Sequence, residues 1–136
     1  AVLREGRDVT LVSYAKTVGA CLQAADALEA EGVAAEVIDL RSLKPIDTDT
    51  VVASVRRTGR LVVVHEAAAP CGVGAEVAAR VAADAFDALL APPLRVTGPD
   101  APAASSWVLE QAGLPQARSI VEAVRAQVAA TRRRAA

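Results

Sequence analysis

A histidine and a glutamate, His65 and Glu66, follow directly after the apolar run Leu61–Val64. An imidazole beside a carboxylate can exchange protons near neutral pH, so this pair is the clearest candidate for general acid–base chemistry. His65 is the single histidine of the chain. A lone histidine next to a glutamate is more often part of a structural, hydrogen-bonded pair, and we favour that interpretation over catalysis.

Two further features lie just beyond that pair. Cys71 precedes a predicted helix start, where the pKa of a thiol can fall, but a nucleophilic Cys–His arrangement would have to use His65 itself. Gly72 and Gly74 begin the helix, where free backbone N–H groups could cradle an anion. A dinucleotide-binding fingerprint requires a third glycine at position 77, which is a valine. We therefore interpret the two glycines as a tight turn that lets the helix pack close to the strand.

Alternating strands and helices position these residues. Four β-rich runs predict strands, at 9–14, 34–40, 60–65 and 94–97. Four segments with helical spacing or helix-capping residues predict helices, at 17–31, 48–58, 73–90 and 116–130, and Asp47 is the predicted N-cap of the second. This alternation is typical of a three-layer α/β/α fold, in which helices cover both faces of a mainly parallel sheet of four to five strands. The nearly continuous apolar run 60–65 predicts a strand in the middle of that sheet.

Composition and charge limit the possible functions. The 136 residues, 53% of them hydrophobic, predict one domain over 1–136 with a core from about 7 to 128 and a basic tail at 129–136. A net charge of −1 and 2% aromatic residues argue against binding to nucleic acid or to anionic membranes. Two cysteines without metal-ligand spacing and the lack of a membrane-spanning run indicate a cytoplasmic protein with reduced thiols. Because position 1 is not methionine, we expect the chain to begin inside a longer reading frame.

Several segments, in their order along the chain, resemble the C-terminal domain of transketolase-like, thiamine-diphosphate-dependent enzymes. The likeness is strongest to the β-subunit of the decarboxylating component of 2-oxo acid dehydrogenase complexes, and it extends from about residue 3 to about residue 128. It implies a mixed sheet of about five strands, one of them antiparallel. The segments that carry the resemblance are Glu5–Val12, Glu36–Asp47, Gly59–Ala67, Gly72–Val81 and Leu114-Pro115.

The resemblance implies an assembly role rather than a catalytic one. The parent enzyme is implied to decarboxylate a 2-oxo acid and to pass the acyl group to a lipoyl group. Its thiamine diphosphate and magnesium are implied to bind to other domains, through a Gly-Asp-Gly-type segment that does not occur in these 136 residues. We therefore expect this chain to hold no catalytic, cofactor-binding or metal-binding residues.

The implied partners are an α-subunit, a second β-subunit and a dihydrolipoyl acyltransferase, and homo-oligomerisation is expected. By resemblance, Phe86, Asp87, Leu90 and Val128 map to the family's docking surface, and Glu66 shapes a subunit contact. Two departures weaken the expected acyltransferase docking. Leu90 stands where an acidic residue is usual, and three arginines follow the last apolar position, at 132–134, whereas the acyltransferase's binding module is generally basic.

Three other interpretations remain open at this point. The same domain could come from another relative, such as a deoxyxylulose-phosphate synthase or an acetoin-cleaving enzyme. A small α/β RNA-binding module, similar to anticodon-binding domains, has a comparable size but would require a basic face and exposed aromatic residues. A free-standing oxidoreductase on a dinucleotide-binding fold would require the missing third glycine.

Overall fold

The computed structural model describes the backbone of residues 1–135 and the side chains of residues 1–131. Five strands form a single sheet: β1 (Val2–Arg4), β2 (Val9–Ser13), β3 (Ala35–Asp39), β4 (Leu61–Ala68) and β5 (Leu94–Gly98). Five α-helices connect and flank them: α1 (Thr17–Ala30), α2 (Thr48–Thr58), α3 (Val73–Asp84), α4 (Trp107–Gly113) and α5 (Ala117–Ala135). A short 3₁₀ helix, Phe86–Ala88, follows α3.

The strand order is β1-β3-β2-β4-β5. Strands β2 to β5 run parallel, and β1 pairs antiparallel with β3 at one end of the sheet. The three-layer α/β fold is therefore confirmed, including the single antiparallel strand that the resemblance implied. The central strand is β2, not β4 as predicted, although β4 is an interior strand between β2 and β5.

Each face of the sheet has its own hydrophobic core, because successive side chains of a strand point to opposite faces. Val62 and Val64 of β4 pack with α1 and α5. Leu61 and Val63 pack with α2 and α3 on the other face. This alternation fixes the directions of the next two side chains of β4: His65 continues toward α3, and Glu66 points to the side of α1 and α5.

The helix boundaries differ from the prediction at two places. Helix α3 ends at Asp84 rather than at residue 90, since the guanidinium of Arg56 binds the carbonyl oxygen of Asp84 and the backbone N–H of Leu90 donates to the carbonyl of Gly59 at 2.9 Å. The last helix continues to Ala135, so the backbone of the expected basic tail is helical over 129–135. A contact from Nε of Arg60 to the hydroxyl of Thr131, at 3.1 Å, anchors this extension.

Two elements were not predicted. Strand β1 has only three residues, too few to show an alternating pattern. Helix α4 follows a segment rich in Pro, Ala and Ser, and its first residues, Trp107 and Val108, have high β-propensity. Within residues 1–135, no helix combines the length and the hydrophobicity that crossing a membrane requires.

A buried carboxylate stabilises the attachment of α2 to the sheet. Glu36 on β3 has 2% side-chain exposure, and its two oxygens accept hydrogen bonds from Arg57 of α2 at 2.7 and 2.9 Å. Removing one partner of a buried ion pair leaves an uncompensated charge, which is strongly destabilising. Because Arg57 itself is 56% exposed, water can replace part of its contribution.

We therefore expect Arg57→Ala to lower the free energy of unfolding by about 1–3 kcal/mol. Arg118→Ala is the control, since Arg118 pairs with Glu122 on an exposed helix face and its loss should cost less than about 0.5 kcal/mol. Urea denaturation of both variants gives the comparison. Equal stabilities for the two variants would contradict the importance of the Glu36 pair.

Candidate functional site

The carboxyl ends of β2 and β4 form the topological switch point of the sheet. These strands are neighbours, but the chain leaves β2 through α1 toward β3 and leaves β4 through α3 toward β5, on the opposite side. Open α/β sheets bind their ligands outside the carboxyl ends of the strands at such a point. His65 and Glu66, the predicted chemistry-bearing pair, lie at this edge, and Tyr14 at the end of β2 lies beside His65.

His65 is enclosed between the sheet and the start of α3. Its side chain has no solvent exposure, and its Nε2 accepts a hydrogen bond from the backbone N–H of Gly74 at 3.2 Å. The ring of Tyr14 stacks on it, with ring centroids 6.1 Å apart and an 18° interplanar angle. His65 therefore acts as a structural acceptor for the first turn of α3.

Gly72 and Gly74 make room for the imidazole. A Cβ atom at position 72 would lie 2.8 Å from Cε1 of His65, and one at position 74 would lie 2.7 Å from Cδ2 and closer still to Nε2. Only glycine allows the backbone to approach the ring this closely. The tight-turn interpretation of the two glycines is thus supported, and the Gly74 N–H that could have bound an anion is occupied by His65.

Burial lowers the pKa of His65 below its ordinary value of 6.5. The backbone of Ala67 acts in the opposite direction, and the nearby positive charge of Arg95 lowers the pKa further. The neutral imidazole is the form that can accept from Gly74, so the hydrogen bond and the pKa direction agree. A neutral, enclosed ring with its acceptor nitrogen occupied is poorly suited to proton exchange with a substrate.

Glu66 lies on the other face of β4 and is exposed. It borders two clefts, one of about 200 Å³ against the first turns of α1 and one of about 400 Å³ against the loop 99–104 and α4. The expected hydrogen-bonded pair of His65 and Glu66 is not formed, because strand alternation sends the two side chains to opposite faces. Glu66 is accordingly placed to contact a molecule at this edge, whereas His65 is not.

The two cysteines are unpaired and lie in different environments. Cys71 is exposed in the loop before α3, with a positive φ of 56°. Cys21 is buried in α1, where burial raises its pKa to about 12. Within the described residues, no group of His, Cys, Asp or Glu side chains is arranged to hold a metal ion.

The residues predicted for docking lie at the opposite, amino edge of the sheet. Phe86 is 76% exposed and Leu90 is half-exposed. Asp87 forms an ion pair with Arg56 at 3.1 Å, which partly neutralises its charge. Val128 is separate from them, since it lines a groove between α1 and α5 on the other face of the sheet. The fold therefore does not bring Glu66, the Phe86–Leu90 segment and Val128 into one surface.

An exposed apolar surface at the carboxyl edge was not predicted from the sequence. Helix α4 exposes three consecutive apolar side chains, each between 65% and 71% exposed, which we name the α4 surface: Trp107, Val108 and Leu109. The signal was present as a Trp-Val-Leu run directly after Ser105-Ser106. Exposed apolar clusters of this kind commonly mark contact surfaces.

These features define an open α/β domain with a structural histidine and exposed apolar surfaces at both edges. Comparison with known proteins identifies its family. The family described as "Transketolase, C-terminal domain" matches residues 1–120. The chain therefore belongs to the transketolase C-terminal domain family, as the resemblance implied.

Curated relatives include β-subunits of pyruvate dehydrogenase E1. The subunit beta-2 from Oryza sativa subsp. japonica is 47% identical over 90% of this chain, and the subunit beta from Rickettsia felis is 44% identical over 91%. An "Acetoin:2,6-dichlorophenolindophenol oxidoreductase subunit beta" from Cupriavidus necator is also 44% identical over 91% of the chain. The matches cover 32%, 38% and 37% of these relatives, so the chain spans about a third of their length.

Solved structures show the same fold. "Split gene transketolase, inactive beta4 tetramer" matches 95% of this chain and 42% of that chain, with a TM-score of 0.82 and 37% identity. A 2-oxoglutarate:ferredoxin oxidoreductase from Magnetococcus marinus matches 91% of this chain and 18% of that chain, with a TM-score of 0.60 and 19% identity, which shows a shared fold alone.

Proposed function

We propose that this chain is a non-catalytic assembly domain of the β-subunit of a cytoplasmic, thiamine-diphosphate-dependent 2-oxo acid dehydrogenase, with pyruvate as the substrate of the parent enzyme. The observation that carries the proposal is the 44–47% identity to pyruvate dehydrogenase E1 β-subunits over nine-tenths of the chain. In this proposal the domain positions neighbouring subunits, and the other domains of the parent enzyme carry out the chemistry.

The residues at the carboxyl edge are better suited to contact another protein than to bind thiamine diphosphate with magnesium. A diphosphate–magnesium group needs several oxygen ligands and free N–H donors. Here the Gly74 N–H is occupied by His65, and Glu66 is separated from His65 by the strand. The cofactor would supply the decarboxylation chemistry where other domains bind it, and no step of that chemistry is assigned to residues of this chain.

Subunit contacts in the proposal involve a second β-subunit and an α-subunit. The α4 surface and the cleft beside Glu66 offer an apolar area with a charged rim, an arrangement typical of interfaces. Support for contact between β-subunits comes from the split-gene transketolase, whose description is a β4 tetramer. Acyltransferase docking at Phe86–Leu90 also belongs to the proposal, but the Arg56–Asp87 ion pair reduces the negative charge available to a basic partner.

A second candidate is the equivalent domain of an acetoin-cleaving enzyme, favoured by the 44% identity to the Cupriavidus necator β-subunit. One assay separates the two candidates. The complete β-subunit that contains this chain is reconstituted with its α-subunit, and the reduction of 2,6-dichlorophenolindophenol is followed with pyruvate or with acetoin.

We expect reduction at least about tenfold faster with pyruvate than with acetoin. The reverse preference would establish the second candidate. Cofactor-dependence is checked in the same assay by omitting thiamine diphosphate. An assembled complex that reduces the dye with neither substrate would contradict both candidates.

A further inference from the structure

We propose that His65 is an acid-sensitive latch for the start of α3: the neutral imidazole holds the first helical turn, and its protonation releases residues 69–75. The latch lies at the carboxyl edge of the sheet, and its action does not depend on the function proposed above.

The latch follows from the way α3 begins. The N-cap residue is Gly72, which has no side chain with which to accept from the free N–H groups of the first turn. Nε2 of His65, nine residues away in sequence from Gly74, replaces that missing cap. Helix α2 provides the contrast, because a side-chain carboxylate of its own N-cap, Asp47, accepts from the N–H of Thr50 at 3.1 Å. The start of α3 is thus capped by a neutral imidazole from another element, whereas the start of α2 is capped by a carboxylate of its own N-cap residue.

The hydrogen bond fixes the protonation state of the ring. A backbone N–H can only donate, so Nε2 carries no proton and the neutral ring carries its proton on Nδ1. Nδ1 is buried and makes no hydrogen bond within the described part of the chain. A second proton would have to bind at Nε2, where it would point at the Gly74 N–H.

Protonation is therefore unfavourable in three ways while α3 stays in place. It converts the acceptor into a donor that faces another donor. It places a positive charge at the N-terminus of a helix, which is the positive end of the helix dipole. It also buries a charge away from water, because the ring has no exposure. Moving the first turn of α3 away relieves all three.

The backbone of Ala67 favours the protonated ring, but the surroundings otherwise provide little compensation for a positive charge. On the β2 side, Tyr14 stacks against the ring, and from β5 the positive charge of Arg95 acts on it. Glu76, in the first turn of α3, is bound to Arg80 at 2.7 Å. Glu66 lies on the opposite face of β4, and Cys71 is exposed in the loop.

The sign of the pH dependence follows from the lowered pKa of His65. In the released state the ring has its ordinary pKa of 6.5 and binds a proton more readily than in the latched state. The latch therefore contributes its full stability above pH 6.5. That stability is lost as the pH falls from 6.5 through the pKa of the latched ring.

Release should stay local to the loop and the first turn. Residues 69–73 are exposed or half-exposed, whereas Val77 and Val81 further along α3 are buried in the core. Opening the loop costs few apolar contacts, and opening the rest of the helix would cost many. We expect the sheet and the remainder of α3 to keep their structure at pH 5.5.

The test uses nuclear magnetic resonance of the whole chain, in which His65 is the single histidine. The ring nitrogens report the tautomer and the titration, and hydrogen exchange of the Gly74 amide reports the latch. We expect an unprotonated Nε2 at pH 7.5 and a Gly74 protection factor that falls about tenfold per pH unit as the pH drops below 6.5, and that levels off below the lowered pKa of the latched ring. The Thr50 amide is the internal control and should stay protected over the same range, because hydrogen bonds from Thr50 hold the pKa of Asp47 below its ordinary value.

The variant His65→Gln keeps a neutral acceptor at a similar reach and removes the titration. Its Gly74 amide should show no pH-dependent loss of protection between pH 7.5 and 5. A proton on Nε2 at pH 7.5, or Gly74 protection in the unmodified chain that does not change with pH, would overturn the proposal. These two measurements need no variant, so the proposal stays testable if His65→Gln does not fold. The same loss of protection in a folded His65→Gln would also overturn it.

Discussion

Gly98→Ala is expected to lower the free energy of unfolding by about 3 kcal/mol or more. Gly98 ends β5 beside the irregularity in its pairing with β4, between His65 and Ala68. A Cβ atom at this position would overlap the carbonyl oxygen of Glu66 and lie 3.1 Å from its carbonyl carbon. Because these are backbone atoms of an interior strand, they cannot move away without separating β4 from β5.

Gly19→Ala is the matched control. Gly19 lies within α1, and a Cβ atom there would meet nothing within 4 Å. The same added methyl group should therefore stabilise the protein by about 0.5–1 kcal/mol, through helix propensity and a less flexible unfolded chain. Chemical denaturation of both variants measures the difference. A Gly98→Ala protein as stable as the unmodified chain would show that the carboxyl edge is less tightly packed than the structure indicates.

The second large effect is expected on self-association. We predict that the chain forms dimers or larger species through the α4 surface, with a second copy as the partner, because three neighbouring apolar side chains are exposed there. Exposed tryptophan and leucine side chains of α4 would become buried on association. Replacing Trp107 and Leu109 together with aspartate should weaken the association at least about a hundredfold, since removing a central aromatic residue typically costs 2 kcal/mol or more and buried charges add to this.

Sedimentation equilibrium over a range of concentrations measures this change. Ala126→Asp is the control, because it adds a carboxylate to an exposed position of α5 without removing an apolar side chain. We expect the control to associate like the unmodified chain. A strictly monomeric unmodified chain, or unchanged association of the double variant, would contradict the role of the α4 surface.

The sequence predicted the fold where single segments carry the information. The apolar runs of β2, β3 and β4 and the capping residue Asp47 determine their own elements, and the structure confirms them. The predicted end of α3, at residue 90, was wrong because the position where this helix ends depends on tertiary contacts. The apolar spacing continues through Leu90, but Arg56 and Gly59 bind the chain and turn it away from the helical path.

The candidate site was only partly predictable for the same reason. The opposite directions of His65 and Glu66 follow from strand alternation and could have been predicted from the sequence. The hydrogen bond between His65 and Gly74 could not, because it depends on how α3 returns against β4. The α4 surface was overlooked since its Trp-Val-Leu run follows a segment typical of loops, and no local pattern shows that a helix will leave such a run exposed.

We propose that this domain assembles the parent enzyme and does not take part in its chemistry. The most direct test measures the mass of the complex formed by the complete β-subunit and its α-subunit, with and without aspartate at positions 107 and 109, together with its activity. We predict that the variant loses assembled complex and that the activity per assembled complex stays the same. A variant that assembles fully but loses its activity would contradict the claim, because the domain would then act in catalysis.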